Sequence, residues 1–219
     1  LRIYNEKSGV VVFRALALPT NTVLLTGISA DFTMNKTYFE LFGLDEKLNL
    51  DTKLLQKQFY ALARELHPDF HQSGTKAEQA QSLDASSFLN QAFLTLKDKE
   101  KRLLYVIGLY LGDITEAEKK QTPPELLTEL MELREQLEEH KHAPTESLRT
   151  SLLASLSDLQ ARQKTCDDDI DALCEKFDVA TTLEVRKSIL SQIRNIMLKK
   201  NFLRSLARTI DSELNPSEV

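Results

Sequence analysis

Tryptophan is missing from this 219-residue chain, and glycine and proline number only six each. So few chain-breakers point to helix through most of the sequence. Cysteine is scarcer still, with Cys166 and Cys174 the two present. On one helix they would sit about 12 Å apart at 1.5 Å rise per residue, too far for a disulfide. No CxxC pair exists. That excludes a zinc ribbon and leaves two buried thiols in a reducing compartment as the expectation. Positive charge is in deficit: 28 Lys and Arg against 33 Asp and Glu give a net charge of −5. The whole chain therefore has no electrostatic case for nucleic acid. No apolar run reaches the roughly 18 residues that a membrane span requires, so no membrane partner is expected. The sequence also lacks a Gly-rich phosphate loop, GxSxG and HExxH. No catalytic residue, metal or cofactor is assigned, and the protein is not expected to be an enzyme. What remains is 42% hydrophobic and 28% charged residues, a soluble globular balance with length for one large domain or two small ones.

Residues 1–33 stand apart. "GVVVFRALALPTNTVLLTGISA" is apolar and β-branched, unlike anything after it. It reads as a signal or transit segment, as a short strand pair, or as residues upstream of a start at Met34, and the last is favoured. From Asn35, a good N-cap, the pattern turns helical, and "KTYFELFGL" stops at Gly43. Asp51 caps a helix over about 52–66. On its wheel Leu55, Phe59, Leu62 and Leu66 share one stripe, with Lys53, Lys57, Tyr60 and Arg64 almost opposite. After a loop over 67–76 the next helix runs to about 97, its apolar stripe being Ala85, Leu89, Ala92, Phe93 and Leu96. A fourth ends near Gly112. The polar, aperiodic residues 113–122 are expected to be a linker. Beyond it Thr122 is the expected N-cap, Pro123 the first helical residue and Glu125 the capping-box partner. Three long amphipathic helices, about 123–141, 145–177 and 181–214, then predict an antiparallel bundle. The fold class is all-α.

His67-Pro68-Asp69 sits where the chain breaks between two helices. Pro is a common helix stop, and Asp in a turn binds backbone N–H groups. A metal pair of His67 and His71 is a second reading, weakened by Pro68, which prevents a regular helix and a shared face. His140 and His142 suit the dipole at a helix end better than a metal. A partner reading gains from the neighbours. The tripeptide closes the end of a basic stripe, and a loop between packed helices presents a fixed carboxylate beside a row of cations. Such a surface fits an acidic protein partner, with the cations steering encounter.

In order and spacing, "YFELFGL", the basic amphipathic helix, "LHPD", "FLNQAFLTLKD" and "KRLLYVIGLYLG" resemble a J-domain. The later "ELLTELMELREQLEE" resembles the signature helix of the HscB family, J-type co-chaperones of iron–sulfur cluster assembly. The resemblance runs from about residue 34 to near the C-terminus. It implies a J-domain over 34–112 that presents His67, Pro68 and Asp69, with Lys53, Lys57, Tyr60 and Arg64, to a DnaK/HscA-type chaperone and stimulates its ATPase. It implies that the bundle, 123–219, binds an IscU-like iron–sulfur scaffold protein. The lack of a CxxC extension favours a bacterial-type cytoplasmic protein; a mitochondrial matrix location is the alternative if residues 1–33 are a transit segment. Phe70, where the family usually has a basic residue, His71, where an aromatic is common, and Thr128, where a large apolar residue is common, depart from the pattern.

The residues themselves support a second surface. On the helix over 123–141 the core stripe is Leu126, Leu130, Leu133 and Leu137. Leu127 lies about 100° off that stripe and Met131 further still. On the last helix Leu198 and Phe202 lie roughly opposite its core stripe. These off-stripe residues either flank a wide core or form a binding patch. With the resemblance, the patch is Leu127, Met131 and Phe202 as anchors, with Glu132, Glu135 and Glu139 as the rim and Arg134 beside them.

Overall fold

The computed structural model describes residues 37–65 and 76–215. They form an all-helical chain, with no strand among the described residues. Two compact units divide it, Leu1–Gly112 and Asp113–Val219. Asn35, Leu66, the His67-Pro68-Asp69 loop, Phe70 and His71 lie outside the described residues, as do residues 1–33.

The first unit contains α1 (Tyr38–Leu41), α2 (Thr52–Glu65), α3 (Lys76–Lys97) and α4 (Lys99–Leu111). Thr37 caps α1 through a capping box with Glu40: the Glu40 N–H donates to Thr37 Oγ1 at 3.2 Å and the Thr37 N–H to Glu40 Oε2 at 2.6 Å. Gly43 follows at φ 61°, a conformation that strains other residues, and turns the chain out of α1. Asp51 starts α2, its Oδ1 accepting from the N–H groups of Lys53 and Leu54. Phe59 on α2 stacks on Phe93 of α3 with ring centroids 4.1 Å apart, while Leu55, Leu89, Ala92, Leu96, Val106 and Ile107 fill the core. Arg102 is the buried exception. Its Nε donates to the Leu48 carbonyl at 3.0 Å and its Nη1 to the Leu96 carbonyl. One guanidinium thus ties the α1–α2 loop to the end of α3.

In the second unit the segment expected to be a linker holds a helix, α5 (Glu116–Lys120). Thr115 and Glu118 form its capping box. Glu118 Oε1 accepts from Arg194 Nη2 at 2.6 Å, tying α5 to the long α8. The expected Thr122 cap does not form. Pro124–Leu126 make a 3₁₀ turn that carries no side-chain cap. Pro123 and Pro124 lack N–H groups, so fewer donors need a cap there. Three helices follow: α6 (Leu127–His142), α7 (Glu146–Val179) and α8 (Leu183–Leu214). They pack as an antiparallel bundle of unequal members. Sixteen residues make α6 about 24 Å long, against about 51 Å for the 34 of α7. Its Leu126, Leu130, Leu133 and Leu137 close a core with Leu152, Leu159 and Cys166 of α7 and Leu203, Leu206, Ala207, Ile210 and Leu214 of α8. Further along, Ile170, Leu173, Cys174 and Phe177 of α7 and Ile189, Leu190, Ile193 and Met197 of α8 are buried.

Candidate functional site

Two exposed surfaces stand out, one on each unit. On α2 the inward turn of Leu55, with Phe59 and Leu62 half-buried, sends Lys53, Lys57, Tyr60 and Arg64 outward. Tyr60 is 62% exposed, and its hydroxyl accepts from Gln56 Nε2 at 3.3 Å. Leu54, also exposed, joins the same side of the helix and was not foreseen. The expected ridge is thus assembled on a rigid helix. The carboxylate of Asp69, expected beside it, lies outside the described residues.

The second surface is the outer side of α6. Burying the leucine stripe leaves Leu127 at 50% and Met131 at 65% exposure, with Glu132, Arg134, Glu135 and Glu139 exposed around them. Thr128 is exposed between the two anchors. Neighbouring acids on the helix and on the turn before it are paired within the unit. Glu129 accepts from Arg162 Nη1 at 2.6 Å, Glu125 lies 3.9 Å from Lys199, and Glu138 pairs with Lys141 at 3.1 Å. The buried leucine stripe fixes which way α6 faces.

Phe202 departs from expectation. It is half-buried and packs against the core of the second unit instead of standing out as an anchor, and Leu198 is half-buried too. The reason is geometric: α8 touches α5, α6 and α7, so a wide arc of its surface is covered where a single stripe was assumed. Among the described residues no group of three His, Cys, Asp or Glu is placed to hold a metal ion, and the pair of His67 and His71 lies outside them. Cys166 and Cys174 are free and buried, and burial pushes the Cys166 thiol up, towards the protonated form. His142 sits 4.0 Å from Glu138 at the exposed end of α6, a helix-end contact. No helix among the described residues is long and apolar enough to cross a membrane.

Residues 37–105 match the DnaJ domain family, and residues 122–211 match the family described as the HSCB C-terminal oligomerisation domain. The chain is a J-type co-chaperone of the HscB family. Among solved structures it is similar to the human co-chaperone protein HscB, at 25% identity over 84% of this chain and 93% of that one, with a TM-score of 0.52. It also matches the chaperone HscB from Vibrio cholerae at 26% identity over 80% of this chain and 99% of that one, with a TM-score of 0.47. In HscB-family terms the α2 ridge belongs to the DnaJ domain and the α6 surface to the oligomerisation domain. Members of this family are co-chaperones, and a J-domain implies an Hsp70-class partner.

Proposed function

We propose that this chain is a two-site adaptor. Its bundle holds an iron–sulfur scaffold protein of the IscU type on the α6 surface. Its J-domain brings that scaffold to a DnaK/HscA-type ATPase and stimulates hydrolysis by the partner through His67, Pro68 and Asp69. Lys53, Lys57, Tyr60 and Arg64 form the adjoining contact. The observation that carries this reading is the pairing, on one HscB-family chain, of an exposed cationic helix in the J-domain with exposed Leu127 and Met131 in the second unit.

The physical contribution of the chain is positional. It holds no nucleotide; it raises the effective concentration of client at chaperone by carrying both at once. The cations act on encounter, steering an acidic chaperone surface, so their effect falls with salt. The apolar anchors act on residence time, since covering Leu127 and Met131 removes apolar surface from water. Thr128 offers less apolar area than a large residue would, which lowers scaffold affinity.

The decisive test is Asp69→Asn. Asn keeps the size of the side chain and removes its charge. Stimulation of the partner's ATPase is expected to vanish while scaffold binding, measured by calorimetry, is unchanged. Equal stimulation by the variant rejects the role given to the loop. A second reading, in which the bundle serves a different client and associates with itself, draws on the oligomerisation description of residues 122–211. A pull-down with the scaffold protein separates the two.

A further inference from the structure

The two surfaces match each other as well as their partners. On α2 the outward residues Lys57, Tyr60 and Arg64 follow the spacing i, i+3, i+7. On α6 the outward residues Glu132, Glu135 and Glu139 follow the same spacing. All six are exposed. Two turns of helix separate the first and last member of each row, about 10.5 Å in both cases. Laid side by side in parallel, the rows place Lys57 against Glu132, the Tyr60 hydroxyl against Glu135, and Arg64 against Glu139. Apolar residues accompany both rows, Leu54 on α2 and Leu127 and Met131 on α6.

The charges are also spare. Glu125, Glu129 and Glu138 each have a cation within the bundle. Glu132, Glu135 and Glu139 have no ion pair among the described residues, and neither do Lys57 and Arg64. Among the described residues the bundle thus pairs one set of acids on and just before α6 and leaves out the set whose spacing fits the ridge.

We infer that the α2 ridge of one copy docks on the α6 acidic row of a second copy, a transient head-to-tail contact that covers both partner surfaces. It is built to be weak. Each exposed ion pair contributes a factor of about two to five in affinity. A two-turn contact falls far below the roughly 800 Å² per partner of a stable complex. On the two-site reading above, weakness is useful: scaffold bound to α6 displaces the ridge and frees it for the chaperone, so loaded adaptor recruits the ATPase better than empty adaptor.

The test uses the full chain with no partner present, so its failure is separate from failure of that reading. Sedimentation velocity is run over a concentration series at about 10 mM salt, where the Debye length is about 30 Å, and at about 1 M, where it is about 3 Å. Concentration-dependent association at low salt, lost at high salt, is expected. One variant carries Lys57→Glu and Arg64→Glu, the other Glu132→Lys and Glu139→Lys. Each alone is expected to stay monomeric at low salt, and their equimolar mixture to associate again, because the swapped rows are complementary. Circular dichroism checks that each variant folds; Lys57→Gln with Arg64→Gln, which removes both cations without charge reversal, is expected to weaken low-salt association by roughly 4- to 25-fold, the product of two such factors. The proposal is overturned by a wild type that does not associate, by association that survives in either variant, by a mixture that stays monomeric, or by compaction independent of concentration, which would put the contact within one chain.

Discussion

Replacing Leu127 and Met131 together by alanine separates binding from folding on α6. Met131 is 65% exposed and Leu127 50% exposed. Full burial of a side chain of this size stabilises by about 1.5–3 kcal/mol, so covering the exposed fractions contributes about 1–2 kcal/mol from Met131 and about 1 kcal/mol from Leu127. Removing both costs about 2–3 kcal/mol of scaffold affinity, and Kd rises roughly 30- to 150-fold. Folding changes little, because the buried stripe of Leu126, Leu130, Leu133 and Leu137 is untouched. Its loss stays within about 1 kcal/mol in a urea titration. Calorimetry against the scaffold protein measures the first number and the titration the second. A Kd within twofold of the parent refutes the patch. A stability loss of several kcal/mol would mean the two side chains belong to the core, and the exposure argument would fail.

Phe202→Ala should do the reverse, destabilising the second unit by about 2 kcal/mol, roughly half the loss of a fully buried Phe, as measured by urea unfolding. Arg102→Met removes the donor from the buried carbonyls of Leu48 and Leu96. It costs about 2–4 kcal/mol, visible as faster amide exchange in α1–α4 with α6–α8 unchanged. The Thr115 backbone and hydroxyl, with Arg194, hold the Glu118 carboxyl at about 2, below its ordinary 4.5. The folded pKa is the lower one, so this contribution is complete above about pH 4.5 and fades as pH falls towards 2. Glu118→Gln should therefore loosen the amides of α5 at neutral pH and make little difference near pH 2; equal exchange in the two proteins at neutral pH would refute the tie.

Periodicity made legible what a single neighbour determines. The phase of Leu55 and Phe59 on α2 settles that Lys53, Lys57 and Arg64 face water, because one side of that helix packs on α3 and the residues opposite are exposed. At the start of α6, whose neighbours α7 and α8 both lie on its leucine side, Leu126 and Leu127 are adjacent in sequence but 2% and 50% exposed. Phe202 escaped this logic. A stripe drawn from Ile189, Ile193 and Leu203 assumes one packing partner for α8, and three are present. Met197, also off that stripe, is buried for the same reason. Residues 113–122 were too short for a period to register, yet Thr115 and Glu118, three apart, spelled a capping box. Thr122, Pro123, Pro124 and Glu125 spelled a helix start as well. There the two prolines gave a 3₁₀ turn without the cap.

The division between stability and recognition on α6 follows from that phase. Its leucines have the same propensity and the same hydrophobicity, so composition cannot say which of them hold the fold and which hold a partner. The helix angle alone assigns them. Arg162 adds a modest bias to that angle by donating to Glu129 across a partly exposed pair, while the buried leucines set it. On the two-site proposal, recognition by this helix therefore rests on the phase of its buried leucines, none of which need touch the partner.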